Sequence, residues 1–188
     1  MHLHLQNINH FIDTLDNKTL HMLESISITK TYKKGEYLLQ QDQTCKYSYL
    51  ISEGMVRKFY LNDGKEITTE LYFDDDMAVS FYSYCLQKPS REYIQALTDI
   101  SVSQTDYSAF EKAKKDFPKL IELDLMMNEY CVMWLEERLF EFHTMDATSR
   151  YLKILKEHSH IVQNIPLTYI ASYLGISLET LSRIRAKI

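Results

Sequence analysis

Apolar side chains at Phe11, Ile12, Leu15, Leu20, Met22 and Leu23 recur at roughly helical spacing between Asn9 and Ser25, which predicts a short helical lead-in. From Ile28 to Ser103 the period changes, and the chain fills with Tyr, Ile, Val, Thr and Phe, interrupted by Lys34-Gly35, Ser52-Glu53-Gly54 and Asn62-Asp63-Gly64. Short strands joined by tight turns follow from that pattern. The clearest hairpin runs out from Met55 to Leu61 and back from Glu66 to Phe73, because Asp63-Gly64 supplies the positive φ angles of a tight antiparallel turn. Three such turns within about seventy residues predict an all-β barrel or sandwich for this region.

Near Phe117-Pro118 the pattern turns helical again. Proline is tolerated in a first turn, and neither Gly nor Pro occurs from Lys119 to His143, so one helix of about 25 residues and about 38 Å is predicted. It carries more apolar surface than one interface requires. Leu120, Leu123, Met127, Tyr130 and Trp134 alternate three and four apart, with Ile121, Leu125, Met126, Met133, Leu139, Phe140 and Phe142 beside them. The first series is the candidate dimerisation stripe, the remaining face covering the β-region; a single wide core-facing stripe in a monomer fits the periodicity as well. Asp146 then caps a helix through Tyr151, Ile154 and Leu155 to about Glu157, His158 to Asn164 is a polar connection, and two very short helical patterns end the chain. The expected organisation is α+β, with residues 1–117 as a β-rich domain, 118–145 as the dimerisation helix and hinge, and 146–188 as a small helical domain.

Composition narrows the class. The chain has 188 residues, 45% of them hydrophobic, with a formal net charge of -5. One large or two small domains of that length bury on the order of 70% of the unfolded surface. Four Gly and three Pro leave no room for a low-complexity linker. The charge is uneven: residues 1–145 hold 15 Lys+Arg against 23 Asp+Glu, whereas residues 146–188 hold 6 against 3. An acidic body that avoids polyanions is thus joined to a basic tip. No apolar run approaches the roughly 20 residues of a membrane span, and the start lacks the cationic flank and apolar centre of a signal peptide, so no membrane partner is expected and the cytoplasm is the default compartment. Cys45, Cys85 and Cys131 have no CxxC spacing and read as three buried reduced thiols.

The stretch from Leu167 to Arg185 carries the most specific signal. Ile170, Leu174, Ile176, Leu181 and Ile184 are apolar, Ala171 is small where two crossing helices approach, Gly175 suits a left-handed helix end, and Ser177 suits the next N-cap. Leu181 and Ile184 then face inward, leaving Leu178, Glu179, Ser182, Arg183 and nearby Arg185 and Lys187 outward. This is a helix-turn-helix pattern whose second helix can enter a major groove, Arg taking guanine O6 and N7 and Glu accepting from cytosine N4. A plain helical hairpin with a solvated charged face is the competing account.

Gly175-Ile-Ser-Leu-Glu-Thr-Leu-Ser-Arg-Ile184, together with Asp146-Ala-Thr-Ser-Arg150 as the hinge and the Gly35, Gly54 and Asp63-Gly64 turns, resembles the Crp-Fnr family of bacterial transcription regulators typified by the cyclic AMP receptor protein. The resemblance implies a cyclic-nucleotide-binding β-roll (jelly-roll) over residues 1–117, a dimerisation helix, and a C-terminal helix-turn-helix. It implies base reading by Glu179 and Arg183, phosphate contacts by Ser177 and Thr180, and an altered base code because Leu178 stands where the family often has Arg. Double-stranded DNA with a pseudo-palindromic site, a second copy of the chain and RNA polymerase are the partners it suggests, together with an unidentified small-molecule effector. The sequence stops at Ile188, where many relatives continue into a β wing, and modest, salt-dependent affinity is the expectation.

The resemblance also places a ligand pocket. Its Gly-Glu pair falls on Val79-Ser80 and its phosphate-binding Arg on Ser90, with Arg91 one place along, so the expectation is that cyclic AMP does not bind. Phe81, Tyr82, Tyr84 and Tyr93 suit either another ligand or the core. No cofactor is expected: three cysteines are too few for an iron–sulfur cluster, and His2, His4, His10, His158 and His160 give only weak metal or haem signals. An enzyme is not expected, since no Gly-rich phosphate loop, GxSxG or HExxH occurs and the adjacent Glu136 and Glu137 diverge on a helix. The alternative function is a cyclic-nucleotide-like sensor module whose helical tail makes protein contacts.

Overall fold

The computed structural model of the chain describes residues 2–158 and 164–188. Helices α1 (His2–Asp13) and α2 (Asn17–Ser25) open it, where the pattern suggested one lead-in. The break has a local cause: the Asp16 carboxylate accepts from the backbone N–H of Lys18 and Thr19 and from the Thr19 hydroxyl, which starts a new helix. Eight strands follow, with a short helix between the sixth and seventh. They are β1 (Ser27–Tyr32), β2 (Tyr37–Leu39), β3 (Tyr47–Glu53), β4 (Val56–Asn62), β5 (Lys65–Tyr72), β6 (Met77–Ala78), α3 (Phe81–Leu86), β7 (Tyr93–Ala96) and β8 (Ile100–Asp106). Helices α4 (Tyr107–Asp116), α5 (Lys119–Thr144), α6 (Ala147–Glu157), α7 (Leu167–Leu174) and α8 (Leu178–Arg185) complete it. Among the described residues no helix is long and apolar enough to cross a membrane.

Two compact units emerge, and they share the expected boundary at residue 145 but not the one at 117. Residues 1–28 join 105–145 in one, and residues 29–104 join 146–188 in the other. The N-terminal helices precede the strands in sequence yet pack with α4 and α5, which follow them. In this helical unit Ile8, Ala113, Leu120, Leu123 and Tyr130 are buried, with Phe11, Met22, Phe110 and Met127 packed around them. Lys114 of α4 also reaches Asp124 of α5 at 2.6 Å. Leu120, Leu123 and Tyr130 are therefore consumed inside their own chain. They cannot form the dimerisation stripe the spacing suggested, because α1 and α4 already occupy that face.

The second unit holds two four-stranded sheets, ordered β1-β8-β3-β6 and β2-β7-β4-β5. Between them lies a core of Leu39, Cys45, Ile51, Val56, Val79, Ile94 and Val102 with further buried neighbours. The β4–β5 hairpin turns where expected, with Asp63 at φ 49° and Gly64 at φ 75°, both left-handed. Of the three thiols only Cys45 is fully buried, and burial pushes its pKa up; Cys131 is half-buried and Cys85 is exposed, so the reading of three buried thiols holds for one. Cys85 lies on α3, a six-residue helix in which Ser83 is the one buried residue.

Three acids in a row close β5 onto β6. Asp74 accepts from the Gly54 N–H and Asp76 from the Phe73 N–H, so they shape a turn. Burial, reinforced by Asp75 and Asp74, pushes the Asp76 pKa up to about 6. A carboxyl raised in the folded state binds its proton more tightly there, so stability falls as pH rises from about 4 to 6 and stays lower above. Asp76→Asn should raise stability at pH 7.5 by on the order of 2 kcal/mol and leave it unchanged at pH 3.5, read as urea midpoints at the two pH values.

Candidate nucleic-acid interface and sensor pocket

Helix α7 ends at Gly175, whose φ of 68° is left-handed, and the Ile176 N–H closes back onto the Ala171 carbonyl at 3.0 Å. Ser177 starts α8 by accepting from the Thr180 N–H at 3.2 Å. Ile170, Ala171, Leu174, Leu181 and Ile184 are buried together, so the two short helices share one core across a tight turn. Arg150 of α6 donates to the Leu174 carbonyl at 3.0 Å and ties the first helix's end to the α6 segment. On the other side of α8, Leu178, Glu179, Ser182, Arg183 and Arg185 are exposed, with Ser177 before it, Lys187 after it, and Thr180 half-buried. Arg183 lies along this surface, donating to the Glu179 carbonyl and the Thr180 hydroxyl. The Glu179 carboxyl is held below the usual range by its own backbone N–H, the Ser177 hydroxyl and the Arg183 charge, so it stays ionised.

The pocket residues occupy a different environment from an open binding site. Val79, Ser80 and Ser90 are each 1% exposed. The Ser80 hydroxyl donates to the Glu92 carboxylate at 2.6 Å and lies 3.1 Å from the Ser90 hydroxyl, which itself donates to the Glu92 carbonyl. Facing them, Lys58 Nζ sits 2.6 Å from Glu70 and 3.8 Å from Glu92, and Tyr72 donates to Glu70. Phe81 and Tyr84 pack against the roll core, while Tyr82 is exposed and carries the Arg91 guanidinium 4.8 Å above its ring. Arg91 therefore belongs to the surface rather than to the group formed by Ser80 and Ser90. Sequence reasoning missed Lys58, Glu70 and Glu92, since charged residues on or beside a strand read as solvent-facing and only their convergence around the buried Lys58 reveals a cluster.

The neighbouring side chain on β4 points the other way. Arg57 is 1% exposed, stacked between the Phe59 ring at 3.9 Å and the Tyr169 ring at 3.6 Å. Its guanidinium donates twice to Gln95 Oε1, at 2.7 and 3.0 Å, and pairs with Glu66 at 2.7 Å. Tyr93 stacks on Phe59 at 4.8 Å and so belongs to this outer stack rather than to a ligand pocket. The Ser172 hydroxyl accepts from the Thr68 N–H, a second bond between α7 and the hairpin. Met55, Leu71 and Leu97 of the roll join the apolar core of α6, α7 and α8.

On α5 a different row stays open. Ile121, Leu125, Val132, Leu135, Leu139 and Phe142 are each between 45% and 64% exposed, and with Asn128 they run four and three apart along the helix. Met127 and Trp134 are half-buried, Met127 within the helical unit's core and Trp134 beneath Arg138. His158 stacks on Phe73 at 4.1 Å, while His160 and the side chains of His2 and His4 lie outside the described residues. Among the described residues no group of three His, Cys, Asp or Glu is placed to hold a metal.

Residues 29–116 match the family of cyclic nucleotide-binding domains. Among solved structures, a Crp/Fnr family transcriptional regulator from Eubacterium rectale is 20% identical, with a TM-score of 0.72, covering 92% of this chain and 82% of that one. FixK2 from Bradyrhizobium japonicum is 21% identical with a TM-score of 0.67, covering 86% and 84%. The c-di-GMP-responsive global regulator CLP from Xanthomonas campestris is 13% identical with a TM-score of 0.69, covering 92% and 91%. No curated protein matches the sequence. Residues 29–116 thus match the cyclic nucleotide-binding domain family, and the chain shares the fold of Crp/Fnr transcription regulators.

The weight of the buried charges in that fold is measurable. Lys58→Met leaves the buried Glu70 carboxylate without its cation and should destabilise the protein by about 3 to 5 kcal/mol, whereas Lys58→Met with Glu70→Gln should recover most of the loss in denaturant titration.

Proposed function

We propose that this chain, a cyclic nucleotide-binding domain with the fold of Crp/Fnr regulators, is a sequence-specific DNA-binding transcription regulator that does not respond to cyclic AMP. The observation that carries the reading is α8, which buries Leu181 and Ile184 against α7 and leaves Glu179, Ser182, Arg183 and Arg185 exposed along the rest of its surface. That is the requirement for a helix-turn-helix: an inner side that fixes the second helix, and an outer side of donors and acceptors matched to base edges. Arg183 and Glu179 are the base readers in this reading, with Ser177, Thr180 and Lys187 facing phosphate.

The exposed row on α5 supports a homodimer. Seven positions spaced four and three apart present a seam about 32 Å long, and an exposed apolar row of that length calls for a partner. A second copy in register supplies it. Asn128, the one polar residue in the seam, would set the register at a cost in stability. Two α8 helices related by a two-fold axis then suit a pseudo-palindromic site. RNA polymerase is the partner such a regulator would meet at a promoter.

Insensitivity to cyclic AMP rests on the inner cluster. The Ser80 and Ser90 hydroxyls and Lys58 already have partners, and an entering phosphate would face the Glu70 and Glu92 carboxylates. Calorimetric titration with cyclic AMP should give no heat of binding, and micromolar affinity would contradict the assignment. On DNA selected from a random pool, Arg183→Ala should lose ~1 to 3 kcal/mol and relax the preference at one base position. An equal loss on unselected DNA would remove Arg183 from base reading, and absence of any salt-sensitive association would favour a tail that binds protein. Leu135→Lys should give a monomer in sedimentation with its helical circular dichroism intact, whereas Leu123→Lys should unfold the helical unit.

A further inference from the structure

Arg57 and Lys58 are consecutive on β4, both buried, and directed to opposite faces of the sheet, as successive strand residues must be. The outer one touches α7 through Tyr169, and the inner one holds the charge cluster of Glu70 and Glu92. Between Lys58 and Phe59 the β4–β5 register shifts. There Thr69 donates its hydroxyl to the Lys58 carbonyl, so a side chain stands where the regular ladder is interrupted. A bulge is where a strand most readily changes its twist, and a twist at this point moves both side chains.

The outer contact is also built in an unusual way. An apolar side chain would hold α7 to the sheet without desolvating a cation, so firmness alone does not explain a guanidinium there. What Arg57 adds is direction, since its plane lies between two rings and its donors are aimed at Gln95 and Glu66. The fit is incomplete: Arg57 Nη1 and Thr68 Oγ1, both at this contact, are buried with no hydrogen-bond partner among the described residues. Each unmet polar group of this kind carries an uncompensated desolvation cost and so weakens the docked arrangement. Docking engages α7 and leaves the outer side of α8 exposed, so it orients that helix without covering it.

We infer that Arg57 and Lys58 form a two-sided relay in β4, in which Arg57 clamps the C-terminal helices in a fixed orientation on the sensor sheet and the inner Lys58 cluster sets how tightly that clamp holds. The DNA consequence rests on the function proposed above, but the clamp and its coupling do not. Hydrogen exchange on the full-length protein, followed by mass spectrometry, tests them. Arg57→Met should speed exchange in residues 167–174 by about tenfold while leaving β7 protected. Lys58→Met with Glu70→Gln, which leaves Arg57 and its partners Tyr169, Gln95 and Glu66 in place, should speed exchange in the same helix by about threefold. Glu92→Gln, which removes one carboxylate facing Lys58 without stranding a charge, is the milder inner variant and should act in the same direction if the double variant fails to fold. Wild-type exchange in α7 with both inner variants would overturn the relay, and wild-type exchange with Arg57→Met would overturn the clamp. On DNA, Arg57→Met should weaken binding to a two-half-site duplex by about tenfold and leave single half-site binding unchanged. Tighter binding by that variant would replace orientation with autoinhibition, whereas a wild-type protein that binds no DNA overturns the proposed function and leaves the exchange result to decide the relay.

Discussion

A cation buried on each face of one strand sets the terms for the second compact unit. Removing a charge from water costs several kcal/mol unless partners replace the solvent, so β4 requires carboxylates and polar acceptors on both sides at once. Glu70 and Glu92 answer Lys58 within the roll, and Glu66 and Gln95 answer Arg57 outside it. The outer side needs a lid as well. Tyr169 covers the face of Arg57 opposite Phe59, so the docking of α7 contributes to the burial of this side chain.

The inner cluster is held together by its own side chains. The two sheets need their apolar core to stay folded, and the polar groups around Val79 and Ser90 are a separate matter. Here Ser80, Ser90, Glu92, Lys58 and Glu70 satisfy one another. Fold and site are separable, so the architecture alone does not say what this cluster binds.

Helix α5 shows a related economy. Its inner stripe, through Leu120, Leu123 and Tyr130, closes the helical unit, and its outer row, from Ile121 to Phe142, is apolar but for Asn128 and stays exposed. The helix is thus apolar on two sides, one buried in the helical unit and the other exposed.

What the sequence determined by itself is local. Asp63-Gly64 placed the β4–β5 turn, the run without Gly or Pro gave α5 its bounds to within a residue, and Gly175 with Ser177 ended α7 and began α8. Each is a property of a few adjacent residues, governed by backbone conformation and capping. Tertiary structure decided the rest. Two heptad series share α5, and periodicity cannot say which one α1 and α4 will cover. A Lys or Arg on a strand reads as solvent-facing until distant residues bring acids and aromatic rings to it. Tyr169 lies far along the chain from Arg57, and a buried charge is defined by the partners that the fold assembles around it, which no local pattern contains.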